Sequence, residues 1–274
     1  MPAFKFAQID AFATRAFAGN PACIIPTENF PDDHIMQSIA AENNVSETAF
    51  LAPAETGGWY LRWFTPTMEV PLCGHATLAA AHWLFSIGGH SSERIIFHTR
   101  WSGQLSVRAC REGQLEMDFP APEIRALSND EAIYDALASA LGERPVKVFD
   151  GPYIGAVFEN PEQIFALSPD LAAVKNIGSS LLAEPGNVGC LAFGGTNSDV
   201  TSRFFAPGSG IDEDPATGSW HCMVARIVAP RLSLPVTCFQ ASPGRGAMMT
   251  IALAGDRVKI QGSAVTVIEG IFRY

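Results

Sequence analysis

Glu47 is the acid in this chain best placed by sequence to carry a proton. It lies in Val45-Ser46-Glu47-Thr48-Ala49-Phe50-Leu51, which reads as a strand, and alternation puts it on one face with Val45, Ala49 and Leu51. A carboxyl on an apolar face loses hydration, which raises its pKa toward the range useful for proton transfer. Two further segments, Cys73-Gly74-His75 and Thr217-Gly218-Ser219, each open an apolar helix. The first turn of a helix has unpaired N–H groups and a partial positive charge, and glycine lets a ligand approach the backbone closely. Asp214 stands just before the second of these helices. Together they suit proton transfer on a small carboxylated molecule, with Gly74, His75, Asp214, Gly218 and Ser219 as binding groups. His75 is Glu47's competitor as proton carrier. The positive end of the helix dipole disfavours a charged imidazole there, so His75 suits hydrogen bonding better. The structural alternative is that the glycines only permit tight turns and that His75 and Ser219 cap their helices. For Asp212 and Glu213 a solvated acidic loop is the favoured reading.

Other constellations point to less. His75 and His82 share a helix face, but no further ligands follow at sensible spacing, so no metal site is expected. Gly194-Gly195-Thr196-Asn197 and Gly244-Arg245-Gly246 are neither a dinucleotide fingerprint nor a phosphate loop. Arg245 is either a charge for an anionic substrate or an exposed turn residue. No Gly-x-Ser-x-Gly follows a strand, which argues against a serine hydrolase of that type.

The elements that must position these residues occur twice. Strands at 4–12 and 22–25, a helix to about Ala41, strands at 45–51 and 60–64, a helix from about His75 to Ser86, and strands at 95–99, 103–109 and 114–119 make the first half. After Pro120-Ala121-Pro122, helices at 130–141 and 170–177 and strands at 153–158, 188–193 and 200–205 precede a helix at 219–228. Strands at 236–240, 247–253, 256–261 and 266–274 close the chain. Arg62-Trp63-Phe64-Thr65-Pro66 matches Arg203-Phe204-Phe205-Ala206-Pro207, and Val45 to Phe50 matches Val188 to Phe193, in the same order. The helix after each motif is apolar almost all round, which marks it as enclosed. The sequence therefore predicts an α+β fold of two similar units. Each is a mainly antiparallel, barrel-like sheet around a central helix.

Composition agrees with a globular protein. The 274 residues are 47% hydrophobic and 17% charged, ample for sizeable cores. A net charge of −10 disfavours nucleic-acid binding. No apolar run reaches membrane-spanning length, and the first residues alternate like a strand rather than a signal peptide. Six cysteines without a Cys-x-x-Cys pair read as reduced thiols of a cytoplasmic protein.

Phe17-Ala18-Gly19-Asn20-Pro21-Ala22, Ser46-Glu47-Thr48-Ala49-Phe50-Leu51, Arg62-Trp63-Phe64-Thr65-Pro66, Pro71-Leu72-Cys73-Gly74-His75-Ala76-Thr77 and Asp212-Glu213-Asp214-Pro215-Ala216-Thr217-Gly218-Ser219 resemble, in order, the PhzF-like family of phenazine biosynthesis. The resemblance implies the diaminopimelate-epimerase fold, with a first domain of 1–119 joined by the returning strand 263–274 and a second of 120–262. It also implies a cofactor-free isomerase working in an interdomain cleft, and a homodimer. It maps the acid/base glutamate onto Glu47, and substrate contacts onto His75, Asp214 and Ser219. An epimerase relative on this fold pairs two cysteines. Cys73 matches the first, while the second place falls on Pro215 or its neighbour Asp214. Ala241 stands where the family usually has glycine, which separates the Arg245 turn from the family pattern. Two other readings stay open: a non-catalytic small-molecule binding protein, and a thiol-assisted racemase centred on Cys73.

Overall fold

The computed structural model describes residues 3–128, 130–181 and 186–274. One compact unit comprises the chain up to Phe119 together with Lys259–Tyr274, and Pro120–Val258 forms the other. In chain order the elements are β1 (Ala3–Ala11), β2 (Asn20–Pro26), α1 (Asp33–Asn43), β3 (Glu47–Pro53), β4 (Trp59–Phe64), β5 (Glu69–Val70), α2 (Gly74–Ser86), β6 (Arg94–Thr99), β7 (Gln104–Ala109) and β8 (Leu115–Pro120). There follow β9 (Arg125–Ala126), α3 (Glu131–Leu141), β10 (Lys147–Asp150), β11 (Ile154–Phe158), α4 (Pro161–Ala166), α5 (Leu171–Leu181), β12 (Val188–Phe193), β13 (Val200–Phe205) and α6 (Gly218–Val228). The last strands are β14 (Val236–Gln240), β15 (Ala247–Ala254), β16 (Arg257–Gly262) and β17 (Ala264–Arg273). The fold is α+β with a mixed sheet, as the pattern of elements predicts.

Both units follow the same path. In the first, β2 pairs parallel with β3, β3 antiparallel with β4, β4 parallel with β6, and β6 antiparallel with β7. In the second, β11, β12, β13, β14 and β15 repeat that alternation. A parallel pair needs a crossover, and α1 and α2 supply the two in the first unit. The crossovers in the second are α4 with α5, and α6. The C-terminal strand β17 runs antiparallel along all of β1, from Ala3 opposite Arg273 to Ala11 opposite Ala264.

The repeated arginine motif has a repeated structural role. Arg62 on β4 forks onto Glu69, with Nε and Nη2 each 2.7 Å from one carboxylate oxygen. Arg203 on β13 makes the same fork onto Glu213, at 2.8 and 2.7 Å. Each guanidinium also lies over the phenylalanine two residues further along its own strand, Phe64 or Phe205. Each fork pins the loop that leads into the central helix of its unit. Glu213 is therefore not part of a solvated acidic loop: its side chain is 15% exposed and fully engaged by Arg203.

The central helices are enclosed. In α2 every residue from Gly74 to Ala81 is buried, and the helix packs on β1, β2, β3, β7 and β17. In α6 Trp220 is fully buried against Gly189 of β12, where a Cβ would stand 2.4 Å from the indole. Several features depart from the sequence reading. The short strands β5, β9 and β10 and the short α4 have no counterpart in the apolar pattern; α4 is held by a capping box in which Asn160 and Gln163 satisfy each other's backbone N–H. β3 is buried on both faces from Thr48 to Ala52, so Glu47 sits at the mouth of a buried strand rather than on one apolar face. Among the described residues no helix is long and apolar enough to cross a membrane.

Candidate active site

In the first unit, the site grows from the turn between β1 and β2. Gly19 has φ +61°, and a Cβ there would lie 2.0 Å from the Ala11 carbonyl oxygen, so only glycine closes this turn. The turn delivers Asn20, fully buried, as the first residue of β2. Parallel pairing sets Ala22 of β2 opposite Glu47 of β3. Ser46 Oγ donates to Asn20 Oδ1 at 3.0 Å, and the Asn20 amide nitrogen lies 3.1 Å from His75 Nδ1. His75, the second residue of α2, places Nε2 2.9 Å from Glu47 Oε2. That oxygen is buried and receives no aligned hydrogen bond among the described residues, so charge is the main coupling between the two groups. Cys73 Sγ lies 3.5 Å from Nδ1 of the same ring.

Charge in this cluster follows from the partners. Burial opposes a charged His75 ring, while Cys73 and Glu47 favour one, and the balance lies well above 6.5. We attribute the rise to Glu47, because burial, reinforced by the Glu47 charge, pushes the Cys73 thiol up to about 11 and leaves it neutral near pH 7. This corrects the expectation drawn from the helix dipole. A dipole worth about 1 kcal/mol is outweighed by a carboxylate in contact with the ring. Asn20 accommodates either state of the ring. Its amide donates to a bare Nδ1; a protonated Nδ1 requires the amide turned over to present Oδ1, with the Ser46 hydroxyl accepting instead.

In the second unit, the turn Asp214–Thr217 precedes α6. Asp214 is 8% exposed and accepts the Thr217 hydroxyl. Gln240, fully buried at the end of β14, clamps this turn. It accepts the Thr217 N–H at 2.8 Å and donates to the Asp214 carbonyl at 2.6 Å. Ser219 Oγ lies 2.9 Å from the Tyr153 hydroxyl. Neither central helix carries a side-chain cap at its N-cap residue, Cys73 or Thr217. His75 and Ser219 therefore do not cap their helices, and the first-turn amides of Gly74 and Gly218 are not used by a capping side chain. Arg245 is half-buried in the hairpin between β14 and β15, where its N–H bonds the Ser242 carbonyl.

The structure thus gathers Glu47, Cys73, Gly74 and His75 in the first unit, and Asp214, Gly218 and Ser219 around one helix start in the second. Sequence reasoning gave no role to Asn20, Ser46, Tyr153, Thr217 or Gln240. Gln240 left a signal, a polar residue ending an otherwise apolar strand. Tyr153 left none.

Below Thr217, His221 is fully buried. Its Nδ1 lies 2.8 Å from the Thr217 carbonyl, so this nitrogen carries the proton and donates, and Nε2 faces Ser202 Oγ at 3.4 Å. Burial lowers its pKa to about 4. The unfolded ring charges near 6.5 and the folded ring only near 4, so between those values the unfolded chain binds more protons. Stability from this residue is full above pH 6.5 and falls by about 3 kcal/mol as pH drops to 4. His221→Asn keeps the donor to Thr217 and is expected to flatten that acid limb of a denaturation series. An unchanged limb would show that His221 is not its source.

Residues 9–270 match the phenazine biosynthesis-like protein family, PhzC-PhzF. An uncharacterized isomerase of Pseudomonas aeruginosa is 41% identical, with 98% of each chain covered. The crystal structure of a PhzF-family protein from Enterococcus faecalis superposes with a TM-score of 0.89 at 33% identity, covering 100% of both chains. A hydroxyproline epimerase from Agrobacterium vitis, solved with trans-4-hydroxy-L-proline, shares the fold at a TM-score of 0.63 and 11% identity, over 98% of this chain and 92% of its own.

Proposed function

The chain belongs to the PhzC-PhzF phenazine biosynthesis-like family, and from that premise we propose a cofactor-independent isomerase that moves a proton on a small carboxylated metabolite through Glu47. Relatives named as isomerases support the reaction class. The observation that carries the role of Glu47 is its buried Oε2, which is without an aligned hydrogen bond and lies 2.9 Å from a ring held toward its charged form. In this reading Glu47 removes the proton adjacent to a carboxyl or enol carbon and returns it elsewhere. The charged His75 stabilises the anion that develops. In the second unit, the amides at the start of α6, with Asp214 and Ser219, suit an anionic group of a small molecule.

The binding-protein alternative has no use for a buried acid beside a charged imidazole. The thiol alternative has little support either. A Cys73 thiol near 11 is a poor base at neutral pH, and the matching place in the second unit is Pro215. Cys73→Ser is accordingly expected to keep turnover within a few-fold of the parent. Abolished turnover in a folded Cys73→Ser protein would restore the thiol mechanism.

The direct test does not require the substrate to be identified first. A panel of small hydroxy, amino and unsaturated carboxylic acids is incubated with the protein in deuterated water and followed by proton NMR. Loss of the signal beside the carboxyl, or appearance of a rearranged double bond, is expected for one class. A ligand that binds tightly yet shows neither change would favour the binding-protein alternative.

A further inference from the structure

We propose that Glu47, Cys73 and His75 form a thiophilic divalent-cation site that takes Zn²⁺, and that occupancy by the ion blocks the acid–base group. Oε2 of Glu47, Sγ of Cys73 and Nε2 of His75 supply oxygen, sulfur and nitrogen donors, and the cluster's ligand atoms lie within 4.8 Å of one another. Oε2 and Nε2 are 2.9 Å apart, and Sγ and Nε2 are 4.0 Å apart. With Zn–N and Zn–O near 2.1 Å and Zn–S near 2.3 Å, tetrahedral donors stand roughly 3.3–3.7 Å from each other. Oε2 needs to shift by only a few tenths of an ångström, whereas Sγ, which stands nearer Nδ1 at 3.5 Å, must swing by more than about an ångström to the Nε2 side, a movement that rotation about the Cys73 Cα–Cβ bond supplies. A mixed set of thiolate, imidazole and carboxylate suits zinc and excludes magnesium and calcium, which take oxygen ligands.

Two features beyond the three donors point the same way. The surrounding shell is in place. With Nε2 on the ion, Nδ1 must donate, and the Asn20 amide, 3.1 Å away and tied to Ser46, turns to present its oxygen. There is also a way in. Cys73, His75 and the Glu47 Oε2 atom are buried, but the Glu47 side chain as a whole is 16% exposed, so an ion approaches along the rest of that side chain. Three protein ligands leave the fourth position for water. As the ion binds, Cys73 releases its thiol proton and the charged His75 ring releases its Nε2 proton, both to solvent, and no change of oxidation state is involved. Glu47 cannot ligate the ion and carry a proton at once, so the ion acts as an inhibitor.

Co²⁺ serves as the spectroscopic probe and Zn²⁺ as competitor, with the full chain and no substrate. The parent protein and Cys110→Ser are expected to show a sulfur-to-cobalt charge-transfer band that stoichiometric Zn²⁺ removes. Cys73→Ser and Cys73→Ala should lose the band, and their Zn²⁺ affinity, read against a chromophoric chelator, should fall more than about 100-fold. Zinc X-ray absorption on the parent protein needs no variant and is expected to fit one sulfur near 2.3 Å with nitrogen and oxygen neighbours near 2.1 Å. A band that survives in Cys73→Ser, a band lost in Cys110→Ser, or a shell of nitrogen and oxygen only would overturn the assignment. Because every readout is binding, failure here leaves the isomerase reading untouched.

Discussion

Glu47→Gln is expected to yield a folded protein that binds ligand normally and turns over about 100- to 10,000-fold more slowly, the range associated with a lost general acid–base group. Glutamine keeps the shape at the mouth of β3 but cannot take a proton. It also removes the negative charge beside His75, so the imidazole pKa should drop. That drop is measurable by NMR without any substrate, and it separates loss of the carboxylate from general damage. His75→Gln should have the milder effect, because it removes the stabilising charge and leaves the base. Once a substrate is known, deuterium should enter the product of the parent enzyme and not that of Glu47→Gln. Near-normal turnover in Glu47→Gln, with His75→Gln inactive but still binding, would reverse the two roles. The His75 charge also has a signature in stability. Its folded pKa is raised, so its contribution is full below pH 6.5 and is lost as pH rises through the folded value.

Arg203→Met is expected to lower the stability of the second unit by about 3–5 kcal/mol, the cost of stranding one half of a buried ion pair. Arg203 is 7% exposed. Besides the fork onto Glu213, its Nη1 donates to the Leu167 carbonyl at 2.7 Å. Methionine fills part of the volume but leaves the Glu213 carboxylate and that carbonyl without their donor. The equivalent change in the first unit, Arg62→Met, should cost less, because Glu69 keeps Arg100 at 3.0 Å. Native-state amide exchange reads the two units separately, through β13 and through β4. Equal losses in the two variants, or a loss below about 1 kcal/mol for Arg203→Met, would show that the forks are not the ties between strand and loop.

What the sequence determined by itself is the set of elements and their duplication. Strands such as 188–193 and 200–205 and the enclosed helix after Gly74 carry their own signal, because apolar spacing and chain-breaking residues act over a few positions. The repeated Arg-x-Phe motif was likewise legible, and so was Glu47 as an acid among apolar neighbours. Short elements held by local caps, such as α4, offered too few residues for periodicity to register.

Only the tertiary structure decided what those residues touch. Nothing local predicts that Arg62 and Arg203 each take a glutamate from the loop that follows, or that Gln240 clamps the Asp214 turn. The charge on His75 was decided the same way. Its position at a helix start argues for a neutral ring, yet the parallel pairing of β2 with β3 and the packing of α2 bring Glu47 to 2.9 Å. Coulomb energy and desolvation depend on distance and burial through space, and chain spacing fixes neither. The same non-local register brings Asn20, Ser46, Cys73 and Glu47 around one imidazole, where the sequence showed only a histidine beginning a helix.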